Sequence, residues 1–265
     1  MYEDLLPDMT RLLGPGHPHT LTARGNLALA HLEAGSVSTA IDMFEDVLPD
    51  MTHVLGPNHP DTHIARSSLA LAHQEAGNVS TAIDMHQALL TDMTRILGPD
   101  HPRTLTVRNN LAAAHQRAGN LQTAIDMFEA VLADQARILG PDHPHTLTTR
   151  NRLAYAYLQA GDPRTAIDTY EALLPDMTRV LGPDHPDTLA THNNLAAAYQ
   201  EAGHLSTAIN MYEALLADCT RILGPDHPHT LITRSHLAAA RRKARQASSP
   251  HTDGEAESAP PPLES

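Results

Sequence analysis

Cysteine is nearly absent from this 265-residue chain: Cys219 stands alone, so no disulfide can form within it. A single thiol fits a reducing compartment. Aromatic residues are few, with six Tyr, two Phe and no Trp, which argues against a base-stacking surface for single-stranded nucleic acid. Lys and Arg number 18 against 31 Asp and Glu, a formal net charge of −13. Such a balance disfavours nucleic acid, whose phosphates need many cations, and an anionic membrane surface. No apolar run approaches the roughly 18 residues of a membrane span. The first residues, MYEDLLPDMT, lack the basic-then-apolar pattern of a secretory signal. A cytoplasmic location is the resulting expectation.

What the chain has in abundance is repetition. Leu-Gly-Pro occurs at 13–15, 55–57, 97–99, 139–141, 181–183 and 223–225, always 42 residues apart. His-Pro follows each triplet, beginning at 17, 59, 101, 143, 185 and 227, and Ala-Gly closes a helical stretch at 34, 76, 118, 160 and 202. A fixed period of this length is the signature of a solenoid in which each unit packs on its neighbours.

Each unit holds two helical patterns. In the unit from Gly98, Pro102 suits a first helical turn, where its missing N–H has no partner anyway. Helix A is predicted over roughly 102–117, with Gly119 as a left-handed cap. Helix B begins near Gln122 and carries Ala124, Ile125, Phe128, Val131, Leu132 and Ile138 as a helical stripe. Gly140 and Pro141 end it. Two such helices across a short turn pack antiparallel.

Leu111, Ala112, His115, Gly119, Ala124 and Phe128 stand at the spacing of the tetratricopeptide signature, and the next unit places Leu153, Ala154, Tyr157, Gly161, Ala166 and Tyr170 there. The 42-residue period and the segment LGPDHPDTLATHNNLAAAYQEAG (181–203) resemble the kinesin light chain variety of that repeat. The resemblance covers about residues 1–244 and implies an all-α, right-handed superhelical solenoid with a concave face lined by helix A. The expected organisation is a half repeat at 1–13, five units at 14–55, 56–97, 98–139, 140–181 and 182–223, and a half repeat at 224–244. A polar tail, 245–265, is expected to be disordered.

One departure is Pro7, Pro49 and Pro175 in the middle of helix B, where other units have Thr91, Ala133 and Ala217. A bent but continuous helix with Pro toward solvent is expected. Met1 falls in register with Met43, Met85, Met127 and Met211, inside a repeat. Without a partner helix, Leu5, Leu6, Met9 and Leu12 would be partly uncovered, and two readings stay open: the natural chain continues upstream, or this helix is a true start that acts as a crude cap.

Candidate chemistry is thin. Nineteen His include three H-x-H pairs, at 17/19, 143/145 and 227/229, but no convergent ligand set, so capping and packing by the His before Pro is the better reading. No phosphate loop or nucleophile elbow is present. Cys219 reads as a buried, inert thiol. Carboxylates such as Asp42, Glu45 and Asp50 lie opposite the apolar stripe, as on a solvated face. No enzyme activity, cofactor or metal is expected.

The site candidates form ladders on helix A. One rung is Arg24, Arg66, Arg108, Arg150, His192 and Arg234, best read as pairing with helix B carboxylates. The next is Gly25, Ser67, Asn109, Asn151, Asn193 and Ser235; the third is Asn26, Ser68, Asn110, Arg152, Asn194 and His236. In the resembled family, Asn at the latter two rungs faces the groove and bonds a peptide backbone. An amide both donates and accepts, which suits an extended chain of any sequence. Peptide choice would then fall to Leu29, Leu71, Ala113, Tyr155 and Ala197. The groove candidates are therefore Asn26, Asn109, Asn110, Asn151, Arg152, Tyr155, Asn193 and Asn194. The alternative is that these Asn brace adjacent helices.

The leading functional expectation is a scaffold that binds a peptide or partner domain. Two alternatives stand beside it: a C-terminal sensor array of a larger nucleotide-switch ATPase, and a structural array that self-associates through uncapped ends.

Overall fold

Pro opens every helix A, and a Gly of positive φ follows each described helix but the last. The computed structural model describes residues 2–248, with side chains from Leu5 to Ala247. Among the described residues there are twelve helices and no strand. They fall into two compact units, divided after Pro183.

The first unit holds α1 (Tyr2–Leu13), α2 (Pro18–Glu33), α3 (Val37–Val54), α4 (Pro60–Glu75), α5 (Val79–Leu97), α6 (Pro102–Arg117), α7 (Leu121–Ile138), α8 (Pro144–Gln159) and α9 (Pro163–Val180). Each helix packs on the next, and α2, α4, α6 and α8 also touch one another in succession. The second unit holds α10 (Pro186–Glu201), α11 (Leu205–Leu223) and α12 (Pro228–Ser248), packed consecutively, with α10 also touching α12. Even-numbered helices are helix A of the repeat and odd-numbered ones helix B.

Helix A starts on an unusual cap. The Nδ1 of His101 accepts a hydrogen bond from the Arg103 backbone N–H at 3.2 Å. His17, His59, His143, His185 and His227 do the same two residues ahead, at 3.2–3.3 Å. The imidazole thus plays the part of a Ser or Asp cap, satisfying a donor the helix leaves orphaned. Pro follows at the first helical position in every case. At the other end of α6, Gly119 has φ 80°, its N–H reaches the Gln116 carbonyl, and the Asn120 N–H reaches that of His115. That is a Schellman closure, and only Gly takes this backbone without strain.

Packing follows the small-and-large pattern. Ala112 of α6, Ala124 and Phe128 of α7, and Leu153 and Ala156 of α8 form one buried cluster. In the second unit, Ala196 of α10, Ala208 and Tyr212 of α11, and Leu237 and Ala240 of α12 form its counterpart. Small residues let two helices approach closely, and the next helix A then closes over the aromatic ring. A buried ring of this size contributes about 1.5–3 kcal/mol by transfer from water.

Pro7, Pro49 and Pro175 lie inside unbroken helices and are exposed, so each lost N–H bond lies toward water. Leu5 and Leu12 of α1 are exposed, and Leu6 and Met9 half-buried. The last helix runs to Ser248, past the tail boundary expected at 245. Ala244-Arg245 replaces Ala-Gly there, so the stop signal is missing, and the residues that follow are good helix formers. The remainder of that expected tail, 249–265, lies outside the described residues.

Candidate functional site

The A helices of the first unit line up their third-rung residues on one face. Between α4, α6 and α8 lies a cavity of about 630 Å³, with His86 of α5 also lining it. Ser68, Asn110 and Arg152 supply its polar rung, and Leu71, Ala113 and Tyr155 the rung one helical turn on. Leu71 and Tyr155 are exposed, 42% and 41%, so the small Ala113 lies between two accessible apolar side chains. Glu75, Arg117 and Gln159 belong to the rim. There Arg117 donates to the Glu75 carboxylate at 2.8 Å and to the Gln74 carbonyl at 3.2 Å, tying α6 to α4.

Arg152 is the odd cation. Each first-rung arginine of this unit is paired with an aspartate 26 residues on: Arg24 with Asp50 at 3.1 Å, Arg66 with Asp92 at 2.9 Å, Arg108 with Asp134 at 2.6 Å and Arg150 with Asp176 at 2.8 Å. Arg152 is half-buried, and among the described residues no carboxylate pairs with it. Burial alone holds its pKa below the ordinary arginine value. His86 is fully buried, its Nδ1 has no hydrogen-bond partner, and burial lowers its pKa to about 4. At neutral pH it is uncharged. Since Glu75 and Arg117 cancel, Arg152 leaves this cavity positive in a chain of net charge −13.

The sequence candidates divide by place. Asn110, Arg152 and Tyr155 come together in the cavity. Asn110 Nδ2 reaches Ser67 Oγ only at 3.5 Å, the outer limit of a hydrogen bond. Asn109 is not in the groove: it is 8% exposed, and its Oδ1 accepts from Thr149 Oγ1 of α8 at 3.1 Å. That amide braces α6 against α8, which corrects its assignment as a groove residue. Asn26 lines a smaller dimple with Gly25, Phe44 and Met51, and Asn151 is half-buried on α8. In the second unit Asn193 and Asn194 are half-buried on α10, and Asn193 Oδ1 lies 3.1 Å from His236 Nδ1 of α12. His86 was missed in the sequence. Its signal was positional: residues 44, 86, 128, 170 and 212 read Phe, His, Phe, Tyr, Tyr.

Cys219 is buried, and burial pushes its thiol pKa up, away from nucleophilic thiolate chemistry. Among the described residues no group of three His, Cys, Asp or Glu is placed to hold a metal, and no helix is long and apolar enough to cross a membrane.

Tetratricopeptide repeat family models match residues 20–61, 61–135, 106–178 and 166–218. This chain is a tetratricopeptide repeat protein. Among solved structures, a putative kinesin light chain of Podosopora anserina with nearly identical repeats is 30% identical, over 77% of this chain and 97% of that one, with a TM-score of 0.63. The Rap conjugation gene regulator of the plasmid pLS20, solved in complex with the Phr* peptide, is 14% identical over 86% of this chain and 63% of that one, TM-score 0.64. A signal-transduction ATPase with a tetratricopeptide repeat sensor, from Pyrococcus horikoshii, is 14% identical over 92% of this chain but 36% of its own, TM-score 0.67. No curated protein matches the sequence. The kinesin light chain likeness and the all-α repeat solenoid thus agree with the 42-residue pattern.

Proposed function

We propose that this tetratricopeptide repeat chain is a protein-interaction scaffold whose first unit binds an extended peptide across α4, α6 and α8. The observation that carries the reading is the cavity itself, in which the Asn110 amide of α6, the Arg152 guanidinium and accessible Tyr155 of α8, and Leu71 of α4 face one space. Asn110 offers both a donor and an acceptor to a peptide backbone, and Leu71 and Tyr155 offer apolar area to its side chains. A structural neighbour of the same fold is a peptide complex, which favours the same use here.

The test is to select binding peptides with the full chain and compare wild type with Asn110→Ala and Tyr155→Ala. Loss of a backbone bond at Asn110 should weaken binding by roughly 0.5–1.5 kcal/mol. Asn110 is half-buried and its hydrogen bond to Ser67 lies at the 3.5 Å limit, so stability should change by about 1 kcal/mol or less. A strongly destabilised Asn110→Ala chain with unchanged affinity would make Asn110 a brace like Asn109.

A second reading is a sensor array within a larger signalling ATPase. It is favoured by the Pyrococcus neighbour, of which the chain spans only the smaller share. An ATPase region encoded in frame with this chain would support it; a reading frame containing repeats alone would remove it.

A further inference from the structure

The first and last described helices each leave uncovered a position that the fold buries everywhere else. Leu147 of α8 packs with Leu173 and Met177 of α9, and Leu189 of α10 packs with Leu215 and Cys219 of α11. Each cluster joins a helix A to the helix B that follows it. Leu231 of α12 holds the place of Leu147 and Leu189, and Leu5 and Met9 of α1 hold the places of Leu173 and Met177. The first place is buried in α2, α4, α6, α8 and α10, yet Leu231 is 45% exposed. The second is buried in α3, α5, α7, α9 and α11, yet Leu5 is 49% exposed. Ala238, the small signature residue of α12, is exposed too, whereas its counterpart Ala196 is fully buried. The charges are divided in the same way. Within a hairpin, Arg150 pairs with Asp176 and Asp142 with Arg179. The matching residues are Arg234 and Asp226 at α12, and Asp8 and Arg11 on α1. All four are exposed. Asp8 and Arg11 meet at 3.0 Å, as Asp176 and Arg179 do at 3.1 Å, and Arg234 reaches the Pro225 carbonyl at 3.3 Å.

We propose that the uncovered face of α12 docks α1 of a second copy of this chain, so that the two helices complete a repeat between molecules. Leu231 of one copy then closes over Leu5 and Met9 of the other, Arg234 meets Asp8, and Asp226 meets Arg11. The apolar residues alone would suit many amphipathic helices. The charges select α1, because it carries an acid and a base three residues apart in the order that α12 and its leading loop require. Burial of the leucines drives the contact, and the two ion pairs set its register and direction. The contact is heterologous: a copy that docks through α12 keeps its own α1 free, so association runs head to tail. α1 has 12 residues where α3 has 18, so this hairpin buries less than an internal one and must also offset the entropy of association. It therefore forms with rising concentration. The inference does not depend on the peptide groove, which lies on α4, α6 and α8.

The experiment is analytical ultracentrifugation of the full chain from micromolar to millimolar concentration. The average mass of wild type should rise with concentration and pass that of a dimer. Leu231→Asp and Leu5→Asp should each weaken association at least about tenfold. Both side chains are exposed in the single chain, so helical circular dichroism should not change. Mixing the two variants is the decisive step. The Leu5→Asp chain keeps an intact α12 and the Leu231→Asp chain an intact α1, so the mixture should form dimers with wild-type affinity and go no further. Arg234→Asp should also weaken association, and adding Asp8→Arg to the same chain should recover part of it. A wild type that stays monomeric throughout overturns the proposal, as does undiminished association of either leucine variant. A mixture that does not dimerise overturns it too, because the faces would then pair like with like. Association lost in Leu231→Asp but kept in Leu5→Asp would put a different occupant on α12, such as a second α12 or residues 249–265.

Discussion

The guanidinium of Arg108 on α6 lies 2.6 Å from the carboxylate of Asp134 on α7, and the same pair recurs one repeat either way as Arg66–Asp92 and Arg150–Asp176. Each pair closes the hairpin across which it reaches. The Arg108 hydrogen bond, more than any other influence, holds the Asp134 carboxyl below the usual carboxylate range. Both side chains are about a quarter exposed, 25% and 28%, so water screens part of the attraction. A double-mutant cycle with Arg108→Gln and Asp134→Asn should give a coupling energy of about 0.5–1 kcal/mol at neutral pH. Because folding depresses this carboxyl's pKa, the coupling should be full above about pH 4 and fade as acid titrates the folded carboxylate. A coupling energy that does not fall on acidification would contradict the pairing.

The histidine caps make a separate prediction. His101 Nδ1 accepts from the Arg103 N–H, so His101→Ala leaves that donor without a protein partner. A lost cap costs roughly 0.5–2 kcal/mol, whereas Asn, a good capping residue, should restore most of it. Urea unfolding of the two variants would measure the difference. Equal losses in His101→Ala and His101→Asn would mean that the ring contributes by packing rather than by accepting that bond.

The helices were readable from sequence because their signals are local. His-Pro marks each start of helix A, Ala-Gly its stop in all but the last, and Leu-Gly-Pro the stop of helix B; helix A of the third full unit spans Pro102–Arg117, the range the pattern predicts. The first-rung arginines were also legible, since their aspartates repeat with the same period. The site was less so. Asn109 and Asn110 are adjacent and identical in type, yet one is buried against Thr149 and the other lines the cavity. That choice depends on how α8 rests on α6, which no local pattern records. The unpaired state of Arg152 is likewise a fact about what its neighbours lack. The helix beyond Ala244 escaped because the polar composition that follows carries no apolar periodicity, although no Gly stands there to stop the helix.

Gly25 occupies the interior of α2 at the rung where other units have Ser or Asn. A Cβ placed there would meet Met51 Sδ at 3.8 Å and its Cε at 4.0 Å, ordinary van der Waals contact. The helix therefore carries the entropic cost of Gly without a steric reason for it. Gly25→Ala should stabilise the chain by about 0.5–1 kcal/mol. A lower melting temperature in the variant would show that α2 needs the gap.

The strongest pH effect should come from His86. It stands where α3, α7, α9 and α11 bury Phe44, Phe128, Tyr170 and Tyr212, so the position accepts a full aromatic ring. Burial lowers its pKa to about 4, against about 6.5 for an imidazole in the unfolded chain. The sign is set by that order. As pH falls below about 6.5 the unfolded chain takes up a proton at this residue that the folded chain refuses, and stability drops until the folded form also titrates near pH 4. Across that window the loss is on the order of 3 kcal/mol from this one group. His86→Phe removes both the titration and an unpartnered buried Nδ1, which by itself costs about 1–3 kcal/mol. The variant should thus be more stable at pH 7, and its advantage should widen toward pH 4.5. It should not abolish acid sensitivity, because burial also lowers the pKa values of His63, His192 and His236. Chemical unfolding of both chains at several pH values provides the measurement. A stability difference that stays constant from pH 7 to 4.5 would mean that His86 is not held neutral in the fold.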